Sequence, residues 1–248
     1  MGHEPVAIVS GAGSGIGRRT AEVLARRGWR LALGGRRVGP LRETGELLGG
    51  AEGRRWIACE TDIADPTACE TLVHRTREAF GAIDGLVNNA GYAPLAMMGE
   101  ISSEQIERIF RVNAIGPTQL VRAAWATLAR SDSPRVVNVS SVAARDPFPG
   151  LGVYGGAKAA LNLLAHAWTR EGEAIGLRAF SVAPGAVETG MLRSIVSASD
   201  LPSEQCLSPD DVAEVIVACL MGERDAIAGR TIYLPGPGLG ERVWDPSA

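Results

Sequence analysis

Residues 7–17 read Ala7-Ile8-Val9-Ser10-Gly11-Ala12-Gly13-Ser14-Gly15-Ile16-Gly17, an apolar run that ends in serine and then places glycine at every second position. The first three residues read as a strand. Ile16, Thr20, Val23 and Leu24 then recur at helical spacing as far as Gly28, where the helix should stop. A turn between a strand and a helix suits phosphate, because the first helical N–H groups are unpaired and the helix dipole is positive at that end. Glycine belongs where the backbone turns sharply or comes within contact of a pyrophosphate. The glycines alone would also fit a tight structural turn; their place between a strand and a helix points to a dinucleotide.

Outward from this loop, short apolar runs alternate with amphipathic stretches of about a dozen residues, the pattern of βαβ units around a parallel sheet. After Ala7–Val9 the strands are read at Leu31–Leu33, Trp56–Cys59, Leu86–Val87, Arg135–Val139, Leu177–Val182 and Thr231–Leu234. Their continuously apolar character suits strands covered on both faces. Ser102-Ser103-Glu104-Gln105 opens a long helix carrying Ile106, Ile109, Phe110 and Asn113, with a kink expected at Gly116-Pro117. Tyr154, Lys158, Leu161, Leu164, Ala165 and Trp168 share adjoining faces of another helix, and Ser208-Pro209-Asp210-Asp211 opens the last. With no linker or repeat, residues 1–248 read as a single α/β domain of Rossmann type: a doubly wound parallel seven-stranded sheet with helices on both faces.

Of 248 residues, 31 are glycine, 46% are apolar and 21% charged, a globular composition with no collagen-like period. Twenty-five basic against 28 acidic residues, without a basic block, argue against nucleic acid. No window approaches the ~18 apolar residues of a membrane span and no signal peptide is visible, so a cytoplasmic protein without membrane attachment is expected. Cys59, Cys69, Cys206 and Cys219 lack C-x-x-C spacing and His3, His74 and His166 lack metal-ligand spacing, so no metal is expected.

Dinucleotide folds normally place an acid at the end of the second strand, on the adenosine ribose 2′-hydroxyl. Here the strand runs into Gly34-Gly35-Arg36-Arg37. Arginine repels nothing on a 2′-phosphate and grips it with charge-assisted hydrogen bonds. NADP(H) is therefore expected over NAD(H), with Arg36 as main ligand and Arg37 as helper; a solvated basic turn is the alternative.

Further clusters follow: Asn88-Asn89-Ala90-Gly91, Ser140-Ser141 and Tyr154-x-x-x-Lys158. With Gly11-x-x-x-Gly15-x-Gly17, Asp62, Asn113 and Pro184-Gly185, in this order and with Ser141 lying 13 residues before Tyr154, the chain resembles the short-chain dehydrogenase/reductase family over essentially its whole length. A tyrosine and a lysine four residues apart lie on one helical face. A nearby ammonium favours phenolate, so Tyr154 is expected to have a lowered pKa and to serve as acid or base. Ser141 would hold the substrate oxygen. The resemblance implies that Lys158 also bonds the nicotinamide ribose and that Asn113 belongs to a water-linked proton relay. It further implies that Gly11, Gly13, Ser14, Gly15, Ile16 and Gly17 hold the phosphates, Asp62 and Ile63 the adenine, and Asn89, Ala90 and Gly91 the adenosine ribose side. Pro184, Gly185, Val187 and Thr189 would wrap the nicotinamide. Taken singly, Tyr154 and Lys158 could be an amphipathic pair, Ser141 a cap, Asn113 a satisfied core amide and Asp62 a turn residue.

Substrate contacts are expected from Tyr92–Met98, Val142–Val153 and Met191–Leu207, the last as a substrate loop over about 190–208. Met97, Met98, Phe148, Leu151, Met191 and Leu192 would make a mostly apolar pocket for a small ketone or secondary alcohol. Gly155 and Gly156 would give room to substrate or to a neighbouring subunit. The Pro/Gly-rich stretch after Leu234 departs from the family's usual aspartate-glycine ending, which leaves the packing of the tail open. The resemblance implies a homotetramer built through the helices of Asn113 and Tyr154. The leading expectation is an NADP-linked ketone reductase or alcohol dehydrogenase. The alternatives are an NAD-dependent enzyme of the same fold and a catalytically silent regulatory protein. A methyltransferase would leave Tyr154 and Lys158 unexplained.

Overall fold

The computed structural model describes residues 4–246; His3 lies outside them. The first half runs β1 (Val6–Ser10), α1 (Gly15–Arg26), β2 (Arg30–Gly35), α2 (Val38–Leu48), β3 (Trp56–Glu60), α3 (Pro66–Phe80) and β4 (Gly85–Asn88). After α4 (Ser103–Phe110) and α5 (Gly116–Leu128) come β5 (Arg135–Val139), α6 (Gly152–Glu171), β6 (Arg178–Pro184), α7 (Gly190–Arg193), α8 (Pro209–Leu220), β7 (Thr231–Leu234) and β8 (Arg242–Trp244). Helix starts follow local chemistry. The Asp65 side chain accepts from the Thr67 N–H ahead of Pro66, and Ser102 with Gln105 and Ser208 with Asp211 form reciprocal capping boxes.

The strands lie in one sheet in the order β3-β2-β1-β4-β5-β6-β7-β8. Neighbours are parallel, in registers such as Val9↔Leu33 and Val87↔Val137, except that β8 runs antiparallel to β7. Because successive side chains point to opposite faces, one apolar layer joins Val9, Leu33 and Val137 to α1 and α8, and the other joins Ile8, Leu86 and Val136 to α3, α5 and α6. The connection order reverses beside β1, with β2 on one side and β4 on the other. The carboxyl ends of those strands therefore open onto the crevice where doubly wound sheets bind ligands.

Three expectations change. The sheet has eight strands, because the chain turns after Pro235 and lays Arg242–Trp244 on the edge of β7. That strand is three residues long and exposed, so it carries no buried apolar run to be read. The break in the long helix lies one turn earlier than the Gly116-Pro117 pair suggests: Arg111–Ile115 form a π-helical turn that holds Asn113, and Pro117 sits in the first turn of α5. Proline has no N–H to close an α-helical bond to Asn113, and widening the preceding turn accommodates it. Gly155 makes room for neither substrate nor subunit: a Cβ there would overlap the Ala143 carbonyl oxygen, so the glycine lets α6 approach the chain just after Ser141.

Candidate active site

At the crevice the glycine loop is held from behind. Asn89 Nδ2 donates to the Gly11 carbonyl (3.1 Å), Thr44 Oγ1 to that of Ala12 (3.0 Å) and Arg18 Nη2 to that of Gly13 (2.7 Å). Gly11 and Gly15 take φ of 66° and 53°, where a side chain is strained. A Cβ on Gly17 would overlap the Gly11 carbonyl and the Asn89 amide. The Ser14 side chain does not cap α1, and no acid occupies its first turn. The positive end of α1, with Ser14, Gly15 and Ile16, therefore meets the cavity without neutralisation. Ser10 ties the loop to β4: its Oγ donates to the Val87 carbonyl (3.2 Å) and accepts from the N–H groups of Asn89 (3.0 Å) and Ala90 (3.1 Å). Nothing in the sequence singles out Ser10 and Thr44 for these roles, because each acts on main chain distant in sequence, whereas Arg18 reaches back only to the loop that precedes its own helix.

The cavity measures about 780 Å³, within the usual range for small-molecule sites. Gly11, Gly13, Ser14, Gly15 and Ile16 line it at one end, followed by Arg36 and Arg37 after β2, Asp62 and Ile63 after β3, and Asn89, Ala90 and Gly91 after β4. Ser141, Tyr154 and Lys158 stand on its middle wall beside Pro184, Gly185, Val187 and Thr189, and Phe148, Met191 and Leu192 line the far end. Gly17 and Asn113 lie behind the wall rather than on it. Met97 and Met98 also miss it, at 52% and 73% exposure; Tyr92, Leu95 and Arg108 take that side instead. Arg36 and Arg37 are exposed and make no ion pair with a described residue. Asp62 is also a turn residue, its Oδ1 accepting from the Ala64 N–H (3.0 Å).

At the middle wall Ser141 caps a short turn through the Ala143 N–H (3.1 Å) and lies close enough to the Tyr154 phenol to pull its pKa down. Lys158, 3% exposed, donates from Nζ to the Val139 carbonyl (2.7 Å) and lies 5.7 Å from the Tyr154 ring centroid. The expected lowering of the phenol does not occur. Burial pushes Tyr154 up to about 12, against a smaller downward pull from Ser141, and burial brings Lys158 down to about 7. Each charged form loses more hydration than the neighbour returns. The Asn113 side chain is fully engaged, donating to the carbonyls of Tyr92 (2.7 Å) and Ile109 (2.9 Å) and accepting from the Tyr92 N–H (3.2 Å). It locks the segment after Gly91 against the π turn, and only its main-chain carbonyl lacks the usual helical donor, through Pro117.

Residues 187–207 roof the far end. The Glu188 N–H donates to the Leu207 carbonyl and the Leu207 N–H to that of Ala186, both at 2.9 Å. Inside this bridge Arg193 forms an ion pair with Glu188 and donates to the Leu201 carbonyl (2.8 Å). The pairing holds the Glu188 carboxyl down to about 2.

A family model described as short chain dehydrogenase matches residues 5–200. Glycine betaine reductase of Emericella nidulans is 36% identical over 87% of this chain, which spans only 17% of that much longer protein. An uncharacterized oxidoreductase of Staphylococcus saprophyticus is 30% identical, with 88% of this chain and 92% of its own length covered. The crystal structure of a 3-ketoacyl-(acyl-carrier-protein) reductase from Brucella melitensis, complexed with NADH, superposes with a TM-score of 0.87 at 25% identity, covering 95% and 98% of the two chains.

Proposed function

The chain belongs to the short-chain dehydrogenase/reductase family, and on that premise we propose that it reduces a ketone, or oxidises the matching secondary alcohol, with NADP(H). The observation that carries this reading is the juxtaposition of Ser141, Tyr154 and Lys158 with the glycine loop in one cavity. The loop residues Gly11 to Ile16 hold the pyrophosphate on the α1 terminus, and Arg36 with Arg37 takes the 2′-phosphate, since both guanidinium groups border the cavity without a carboxylate partner. When bound, the nicotinamide supplies or takes up the hydride.

The remaining work falls to side chains. Ser141 holds the substrate oxygen, and Tyr154 passes a proton to it or takes one from it. Lys158, titrating near neutrality, restores the phenol, and the Asn113 carbonyl, which Pro117 deprives of its usual helical donor, is the group on which a relay to solvent would start. Phe110, Ile115 and Leu163, exposed on these same helices, are the apolar surface a homo-oligomer would cover.

The test is a panel of ketones and secondary alcohols, each with NADPH/NADP+ and NADH/NAD+, followed by reduced-nicotinamide absorbance. Tyr154→Phe should lower kcat by about 10²- to 10⁴-fold while NADPH still binds. Turnover near the wild-type rate would refute the role given to Tyr154, and NADPH binding without any turnover across the panel would favour a regulatory protein.

A further inference from the structure

Among the residues lining the cavity the charged side chains are Arg36, Arg37, Asp62, Arg108 and Lys158. The first three belong to the ends of β2 and β3. Beyond Tyr154, on the substrate side, Arg108 is the charged lining residue, and the cavity is also lined by Leu95, Phe148, Leu151, Met191 and Gln205.

Arg108 lies on α4, with its guanidinium carbon 5.1 Å from the centroid of the Tyr92 ring. Tyr92 is fixed at both main-chain groups by Asn113. Tyr92 and Tyr154 both pack on the small cluster of Ile109, Ala114 and Ala157, so the ring that carries the guanidinium and the tyrosine of the middle wall share one apolar support. The acids within a helical turn are engaged elsewhere: Glu107 pairs with Arg111 at 3.9 Å and Glu104 bonds Ser102. Arg108 therefore has no carboxylate partner among the described residues.

A guanidinium stacked on a ring keeps its edge donors in one plane, the geometry that a carboxylate meets with paired hydrogen bonds. Arg108 is exposed where it borders the cavity, and a cation there attracts an entering anion. We propose that the substrate carries a carboxylate held by Arg108, so that the enzyme acts on an oxo acid, or the corresponding hydroxy acid, rather than on a neutral ketone. This rests on the reading of the cavity as an oxidoreductase site and replaces the expectation of an uncharged substrate.

The experiment uses oxo acids with one to four methylenes between ketone and carboxylate, each beside its ethyl ester. At the best spacer, kcat/KM for the acid should exceed that for the ester by about 10- to 100-fold. Arg108→Met should bring the ratio near one, and Arg108→Glu below one. Melting temperature and NADPH affinity, read in parallel, separate a folding defect from lost recognition. Equal use of acid and ester by the wild-type enzyme overturns the proposal without any variant, as does a ratio that neither substitution moves. If no acid or ester turns over while a neutral ketone of the wider panel does, the proposal is overturned; if nothing in either panel turns over, the oxidoreductase reading fails instead. Calorimetric titration with the same acids then decides the site: binding weakened in Arg108→Met supports it, and equal binding, or none to the wild type, overturns it.

Discussion

The two ends of the cavity recognise by different means. At the β1–α1 end the main chain presents itself: three loop carbonyls are fastened from behind by Asn89, Thr44 and Arg18, and the positive end of α1 is left for an anion. At the far end, beneath residues 187–207, side chains make the surface, mostly apolar with Arg108 as its charged member and roofed by a segment clipped to itself through Arg193 and Glu188. A main-chain site has few sequence solutions, because it requires glycine at fixed places. A side-chain surface has many, and its specificity turns on one or two residues.

Arg36 gives the sharpest way to break the contrast, since it is a side-chain device at the main-chain end. Removing a charge-assisted contact to a phosphate should lower the ratio of kcat/KM with NADPH to that with NADH by about 10- to 100-fold in Arg36→Ala. NADH efficiency should stay nearly constant, because the loop contacts are common to both cofactors. Steady-state kinetics with each cofactor reads the ratio directly. A wild-type preference for NADH, surviving the substitution, would mean that the two arginines are a solvated turn.

Lys158 tests what governs the middle wall. Its ammonium is held down to about 7 by burial, against 10.5 for a free lysine, so between those values the unfolded chain binds a proton that the folded chain does not. Stability from this group therefore rises with pH over that window, by at most about 1.4 kcal/mol, or tenfold in the folding constant, per pH unit, and is flat below it. Tyr154, raised from 10 to about 12, acts above pH 10 and in the opposite direction. Melting temperatures from pH 7 to 9.5 should climb more steeply for the wild type than for Lys158→Met. Parallel curves would show that Lys158 keeps its charge when folded, and that pairing rather than burial controls the wall.

The same contrast explains which parts were legible beforehand. The glycine loop, the seven parallel strands and the Ser141, Tyr154 and Lys158 cluster follow from local period and spacing, and the structure brings that cluster into one cavity with the loop. What escaped depends on distant chain. Ser10 and Thr44 bond main chain far away in sequence, and the three-residue β8 exists through pairing to β7 alone. Asn113 looks like a polar residue on an apolar helix until Tyr92 is folded against it. Met97 and Met98 look like pocket residues by hydrophobicity, yet Leu95, exposed like them, is the one that borders the cavity. The titration of Tyr154 is the instructive miss: spacing shows that Lys158 is near, but only burial shows that neither group holds its charge easily.

The smallest effect is expected at the roof. Arg193 joins Glu188, next to the Val187 and Leu207 bridge, to the Leu201 carbonyl, and so closes the span that carries Ile195, Val196 and Leu201 over the cavity. Both members of the pair are partly exposed, with side-chain accessibilities of 22% and 36%, and water screens such a pair heavily. Arg193→Ala should accordingly loosen the roof without unfolding it, raising substrate KM by about 2- to 5-fold and leaving kcat and cofactor KM nearly unchanged. Salt gives the independent check. With an uncharged ester as substrate, raising ionic strength should move the wild-type KM toward the variant's and leave the variant's own KM in place, because then only the wild type has a substrate-side pair to screen. If both respond alike, the main-chain bridge between residues 186–188 and 207 holds the roof alone, and the far end is as much a main-chain construction as the glycine loop.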